Sequence, residues 1–296
     1  MKKVITHNGR FHTDETFGVA VLRLALDEPF EVIRTRDDKV ITTGDIVLDI
    51  GGVYDPGQGR FDHHQKGGAG EHANGIPYSS FGLVWKKYGV QLCGTKEAAN
   101  IVKKRLVYPI DATDNGVDTF VRGTRDDLYP YLMHSITMSF RPAWNEEGRT
   151  PDAAFLELVD IAVKILSREI VHAKAYGEAK KKVEEAYERS EDKRIIVLDG
   201  PYPWEEVLSG YSEPLFMVGP KSQSSNWNVK TVRSEVHSFK SRKDLPAAWA
   251  GKRGEELAQI TGVPDAIFCH NGRFIAVAGS KEGALRLAWL ALEHEE

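Results

Sequence analysis

The chain has 296 residues, 41% of them hydrophobic and 28% charged, with a formal net charge of −4. That length holds two ordinary domains, each with its own core, and that charge excludes the uniformly basic surface of a duplex-coating protein while leaving room for a local basic patch. No apolar run approaches the roughly 18 residues of a membrane span, the N-terminal "MKKVITHNG" enters a strand pattern with no signal or transit character, and two cysteines cannot build a disulfide framework or a cysteine zinc site. The expectation is a cytoplasmic protein in which Cys93 and Cys269 are buried thiols.

In chain order, "KKVITH" predicts a strand and "DETFGVAVLRLAL" a helix, and "FEVIRTR" and "DIVLDIGG" predict short buried strands bounded by turn residues. Strands and helices in alternation imply a parallel sheet covered on both faces, with its chemistry at the carboxyl ends of the strands. A helix follows around "SSFGLVWKKYG", and 97–110 is mostly helical. After Pro151 a long, increasingly charged helical pattern is expected to break or bend near Gly177 and to act as a connector. From 194 the pattern changes to "RIIVLDG", "PLFMVGP" and "NWNVKTV", then a short helix, a hairpin and a final helix. The expected organisation is α/β: a parallel-sheet domain over 1–150, a helical connector over 151–192 and a smaller α+β domain over 193–296.

The pentapeptide HNGRF occurs at 7–11 and again at 270–274. The first copy lies where a strand ends and a helix begins. The second lies between two strands, where Asn271-Gly272 is a strong hairpin-turn signal. No wider similarity surrounds the copies, so they read as independent.

Five of the ten histidines precede residue 73: His7, His12, His63, His64 and His72, interspersed with carboxylates. Imidazole and carboxylate donors together suit an ion such as Mn²⁺ better than structural zinc. One His or Asp at a strand end is ordinarily a cap or a satisfied polar group. Asp14, Asp49 and the Asp62-His63-His64 triplet, at successive strand ends, converge on one sheet edge and predict a metal site. Between 221 and 243, Lys221, Lys230, Arg233, Lys240, Arg242 and Lys243 are interleaved with Trp227, His237 and Phe239. Cations that track phosphates and aromatic faces that stack bases suit single-stranded nucleic acid, although a solvated edge strand carries a similar mixture.

The segments "HNGRFHTDE", "DIVLDIGG", "RFDHH" and "DATDNG" resemble the DHH phosphoesterase superfamily. Nearly end to end, through "YDP", "FDHHQ", "HSFKSR", "LPAAWAG" and "KEGAL", the chain is similar to the melanocyte-proliferating-gene family, whose eukaryotic member is a 3′-to-5′ RNA exonuclease. The resemblance implies a DHH-type catalytic domain holding two divalent cations, Mn²⁺ preferred with Mg²⁺ or Co²⁺ as substitutes, and a C-terminal substrate-gripping domain. The superfamily's first motif is His-x3-Asp-x-Asp; here His7 is followed by His12 and Asp14, so both histidines stand as ligand candidates. Asp49 corresponds to the bridging carboxylate. Asp62, His63 and His64 form the triplet, with His63 a ligand and Asp62 and His64 the catalytic candidates, His64 either facing the phosphate as a donor or orienting His63. The fourth-motif carboxylate is Asp111 or Asp114. Lys240 and Arg242, with His237, His270 and Arg273, are the candidate substrate contacts. The implied activity is 3′-to-5′ hydrolysis of single-stranded RNA or short oligonucleotides to nucleoside monophosphates, with a small-molecule phosphatase or pyrophosphatase as the alternative. Nothing in the sequence sets an oligomeric state.

Overall fold

The computed structural model describes residues 1–120, 127–235 and 238–295, and the chain divides into two compact units, Met1–Lys174 and Ala175–Glu296. It is a mixed α/β protein with two five-stranded sheets.

In the first unit, β1 (Lys2–Thr6), β2 (Phe30–Arg34), β3 (Ile46–Leu48), β4 (Tyr54–Asp55) and β5 (Arg60–Phe61) form a sheet ordered β2-β1-β3-β5-β4. The first four strands in that order are parallel, and β4 closes the edge antiparallel to β5. The helices are α1 (Thr13–Ala25), a one-turn α2 (Asp38–Ile41), α3 (Ser80–Cys93), α4 (Lys96–Val102), α5 (Tyr108–Asp114), α6 (Met133–Phe140) and the first part of α7 (Pro151–Arg189), whose remainder from Ala175 belongs to the second unit. A π-helical turn, Lys103–Val107, joins α4 to α5.

Period-2 alternation assigns the strand side chains to faces. Val4, Ile46 and Leu48 enter the main core with Phe17, Leu22, Phe81 and Val84 of α1 and α3 and with Phe155, Leu158 and Leu166 of α7. Ile5 and Val47, one residue out of phase, meet only Ile41 of α2 and a few partly buried neighbours. The expectation of a sheet covered on both faces by helices therefore needs correction: helices cover one face, and the other carries a single turn of helix over a small cluster. The cause is visible in the chain, because the connection from β2 to β3 is too short for a full helix.

In the second unit, β6 (Ile195–Val197), β7 (Phe216–Pro220), β8 (Trp227–Thr231), β9 (Ala266–Cys269) and β10 (Ile275–Ala278) are ordered β6-β7-β8-β10-β9. Only β6 and β7 are parallel. Helix α8 (Glu205–Ser209), a 3₁₀ turn (Ala247–Trp249), α9 (Gly254–Thr261) and α10 (Lys281–Glu293) complete it. Alternation again sorts the faces: Phe216 and Val218 pack with Leu257 and Leu287, while Met217 packs with Val183, Tyr187 and Trp204.

Helix α7 runs unbroken through Gly177 for 39 residues, against the expected break. One glycine costs a helix interior only about 1 kcal/mol, which the buried stripe outweighs. The second HNGRF does join β9 to β10, and the left-handed residue is Arg273 (φ 57°) rather than the Asn-Gly pair. The turn closes with Arg273 N–H donating to His270 O at 2.9 Å. It is thus a longer hairpin loop ending in a left-handed residue rather than a two-residue turn. Among the described residues, no helix is long and apolar enough to cross a membrane.

Candidate metal centre

Three adjacent parallel strands end in the residues that build the site. His7 follows β1, Asp49 follows β3, and Asp62 and His63 follow β5. The start of α1 adds His12 at the N-cap with Asp14 and Glu15 in the first turn, and Asp114 ends α5. Carboxylates are favoured at a helix N-terminus, where the unsatisfied amides leave partial positive charge. Glu15 uses that position: both its oxygens accept from the His12 backbone N–H, at 2.7 and 2.9 Å.

Asp49 is central. Its Oδ2 lies 3.1 Å from His7 Nε2 and its Oδ1 lies 3.2 Å from His63 Nε2, so its two oxygens serve two imidazoles. Its backbone is left-handed, φ 59°, a conformation rarely held outside glycine. His7 Nε2 also lies 3.2 Å from Glu15 Oε1, and His63 Nε2 lies 3.3 Å from Asp114 Oδ2 and 4.0 Å from Asp14 Oδ2. Donor atoms gather in three overlapping groups: His7, His12, Glu15 and Asp49; Asp49, His63 and His64; and His12, Asp14 and Asp114. Asp49 joins the first two and His12 joins the first to the third.

Whether these residues fit divalent ions is decided by hydrogen bonding. His7 Nε2, His63 Nε2, Asp14 Oδ1 and both oxygens of Asp49 are buried and make no hydrogen bond. They stand at hydrogen-bond distance but out of hydrogen-bond direction. An unsatisfied buried carboxylate is costly, and buried charges are ordinarily paired or bound to metal. The set is oxygen and imidazole nitrogen, donors that suit a divalent cation. The residues fit.

Protonation in the metal-free protein says the same. Burial disfavours a charged His7, yet its pairing with Asp49 and Glu15 wins and pushes its pKa up to about 10. Burial would raise Asp49, but His63 and His7 beside it bring it down to about 2. Asp14 is driven well above the usual carboxylate range by complete burial and by Asp49 and Asp114. Burial and Asp49 raise Asp114 as well. The site carries more negative groups than its protons satisfy, an arrangement suited to cations.

The remaining triplet residues have different settings. Asp62 Oδ1 accepts from His63 N at 2.7 Å and lies 2.7 Å from His64 Nδ1, and Asp62 Oδ2 accepts from Gly52 N at 2.5 Å. It organises the turn. The His64 side chain is 59% exposed, against 8% for His63, and pairing with Asp62 raises its pKa.

Asp111 requires correction. It is fully buried, accepts from Ser79 Oγ at 2.6 Å and Gly82 N at 3.0 Å, faces His72 Nε2 at 2.7 Å, and belongs to none of the three donor groups. Asp114 is the member of "DATDNG" that reaches the cluster. Glu15 was quoted in the first motif without an assigned role. Its signal is its place three residues after the N-cap, which aims it back at the strand end.

In the second unit the Arg242 guanidinium donates to the carbonyls of Pro214 and Ser209, at 3.1 and 2.8 Å, while the residue also lines the groove that Lys240 borders. Lys243 likewise holds the carbonyls of Leu292 and His294 at the end of α10. Lys240 is exposed and Phe239 is 93% exposed, with the Arg233 guanidinium 5.2 Å from its ring centroid. His270 Nδ1 accepts from Gly272 N, its ring lies 4.4 Å from that of Phe274, and Arg273 pairs with Asp244 at 3.0 Å. Phe239, Lys240, Gly272 and Phe274 line one open groove. His237 lies outside the described residues.

Comparison with known proteins places the chain. The model MYG1_exonuc, described as "Uncharacterised protein family (UPF0160)", matches residues 3–292. The chain belongs to this MYG1 family. It is 33% identical over 317 residues to the "MYG1 exonuclease" of Homo sapiens, covering 97% of this chain and 84% of that protein. It is 31% identical to "MYG1 protein C694.04c" of Schizosaccharomyces pombe, covering 98% and 97%, and 31% identical to "MYG1 protein YER156C" of Saccharomyces cerevisiae, covering 98% and 96%. The MYG1 match spans both units, so the candidate metal centre and the groove of the second unit lie within the matched length.

Proposed function

We propose that this MYG1 protein is a DHH-type, divalent-metal-dependent phosphodiesterase: a cytoplasmic 3′-to-5′ exonuclease that degrades single-stranded RNA to nucleoside monophosphates. The observation that carries the reading is the convergence of buried, unpartnered imidazole nitrogens and carboxylate oxygens at the carboxyl edge of the first sheet. Four of its relatives bear the name exonuclease. In this reading 1–150 carries the chemistry, 151–192 connects, and 193–296 grips the substrate.

Two divalent ions, Mn²⁺ preferred, would neutralise phosphate charge and make water a nucleophile near neutral pH. His7, His12, Asp14, Asp49, His63 and Asp114 would hold them. His64 keeps Nε2 for the phosphate because Nδ1 is engaged by Asp62, and that pairing raises its pKa, which favours the proton-donating form. Lys240 and the exposed Phe239 and Phe274 supply a cation and stacking faces for a flexible strand. His270 and Arg273 border that surface.

The test is a 5′-labelled single-stranded RNA followed in time. A descending ladder that a chelator stops and Mn²⁺ restores better than Mg²⁺ or Co²⁺ is the expected result. Immediate release of labelled mononucleotide reverses the polarity. Hydrolysis of pyrophosphate or phosphoadenosine phosphate without RNA cleavage moves the protein to the small-molecule class.

A further inference from the structure

We propose that Asp111, with His72, is a positioning residue that sets how Asp114 and Asp14 reach the metal centre. The inference rests on the metal-centre reading above. Asp111 and Asp114 stand three residues apart on α5, so whatever fixes the rotation and height of α5 at Asp111 also fixes Asp114.

Asp111 is fixed by the start of another helix. Ser79 is the N-cap of α3, but its side chain does not cap α3; its hydroxyl donates to Asp111 Oδ1. The same oxygen accepts the Gly82 amide, one of the donors that a helix N-terminus leaves unsatisfied. Asp111 thus does from α5 what an N-cap side chain ordinarily does from its own helix. The Ser80 amide donates to Asp14 Oδ2 at 3.3 Å. The first turn of α3 therefore holds a carboxylate from α5 and a carboxylate from α1 at once. Asp14 and Asp114, the two carboxylates of the third donor group, are both held through this turn: Asp14 directly, Asp114 through Asp111.

The other oxygen of Asp111 takes His72 Nε2, and the His72 ring lies 4.0 Å from that of Tyr78 and 4.7 Å from that of Tyr108, the first residue of α5. The contact is so close that a Cβ at position 82 would lie 1.8 Å from Asp111 Oδ2. Glycine is therefore required there for α3 to approach the carboxylate.

The experiment uses the full chain with Mn²⁺ alone as probe, and reads ions bound at saturation, Mn²⁺ affinity, and the thermal midpoint of metal-free protein. Asp111→Ala is expected to bind the same number of ions as the unsubstituted chain, but about 10- to 100-fold more weakly. Asp111→Asn, which keeps an acceptor for Ser79 and Gly82 and a partner for His72, recovers most of that affinity. Asp114→Ala loses an ion even at saturation. Loss of an ion in Asp111→Asn would make Asp111 a ligand and overturn the proposal. So would a lowered thermal midpoint in Asp111→Ala with Mn²⁺ affinity unchanged, because that is the mark of a purely structural residue. Should Asp111→Ala fail to fold, the comparison passes to His72→Gln, which still donates to Asp111, and His72→Leu, which does not. The glutamine variant binds Mn²⁺ more tightly; equal affinities contradict the proposal. An unsubstituted chain that takes up no Mn²⁺ instead overturns the metal-centre reading on which the proposal stands.

Discussion

Asp49 and its two imidazole partners give the metal-free site a definite pH behaviour. His7, raised from 6.5 to about 10, contributes stability that is complete below pH 6.5 and lost as pH rises towards 10. Asp49, lowered from 3.8 to about 2, contributes stability present above pH 3.8 and lost as pH falls towards 2. Thermal midpoints of the metal-free chain should therefore hold between about pH 4 and pH 6.5 as far as these groups are concerned, and fall on both sides. Mn²⁺ binding has the opposite slope. It needs neutral His7, so affinity should rise with pH through 7 to 9, with proton release measurable by calorimetry in buffers of different ionisation enthalpy. A flat affinity over that range would remove His7 from the ligands. Replacing the two adjacent histidines separates their roles: His63→Ala should lower metal content, while His64→Ala should keep it and depress the catalytic rate. Equal metal loss, by elemental analysis, would contradict the different burial of the two rings.

Two helix glycines should respond with opposite sign to alanine. Gly82 lies against Asp111, so Gly82→Ala must push α3 off α5 or rotate the carboxylate, at about 1–3 kcal/mol as for other overpacked sites. Gly177 lies inside the continuous α7 and is only partly buried, so Gly177→Ala should stabilise by about 0.5–1 kcal/mol through helix propensity. Denaturant titration of both variants checks the pair, and stabilisation by Gly82→Ala would mean that the close approach is not held. The longer helices and strands were legible because their periodicity is local, whereas α2, β4, β5, α6 and α8 are too short to show one. The choice between Asp111 and Asp114 was not, since both lie on the same helix three residues apart, and only the N-terminus of α3, 29 to 32 residues away in sequence, distinguishes them. The carbonyl contacts of Arg242 were not legible for the same reason: a basic run does not reveal which of its members also brace distant segments.

Across the molecule, the order of the candidate site residues along the chain follows from parallel-sheet topology. Because β1, β3 and β5 are neighbours and parallel, residues 7, 49 and 62–63, far apart in sequence, leave the sheet at one edge. Part of that convergence could be inferred from sequence, because His7 and Asp49 lie at the ends of predicted strands; the two-residue β5 before Asp62 has no periodicity to predict it. The thin cover of the second face, a small buried cluster under one helical turn, could not be inferred, because it depends on how little chain lies between β2 and β3. Neutralising Lys240 in the second unit should weaken binding of long RNA more than of dinucleotides and lower the salt dependence of binding, as fewer counterions are released. Unchanged salt dependence would take Lys240 out of the RNA contact. The most direct measurement of the central claim is anomalous diffraction at the manganese edge from crystals grown with Mn²⁺. Peaks within coordination distance of His7, Asp14, Asp49, His63 and Asp114, with Asp49 between two of them and none at Asp111, are the predicted result. A map without manganese at the carboxyl edge of the first sheet, at Mn²⁺ concentrations that support RNA cleavage, would contradict it.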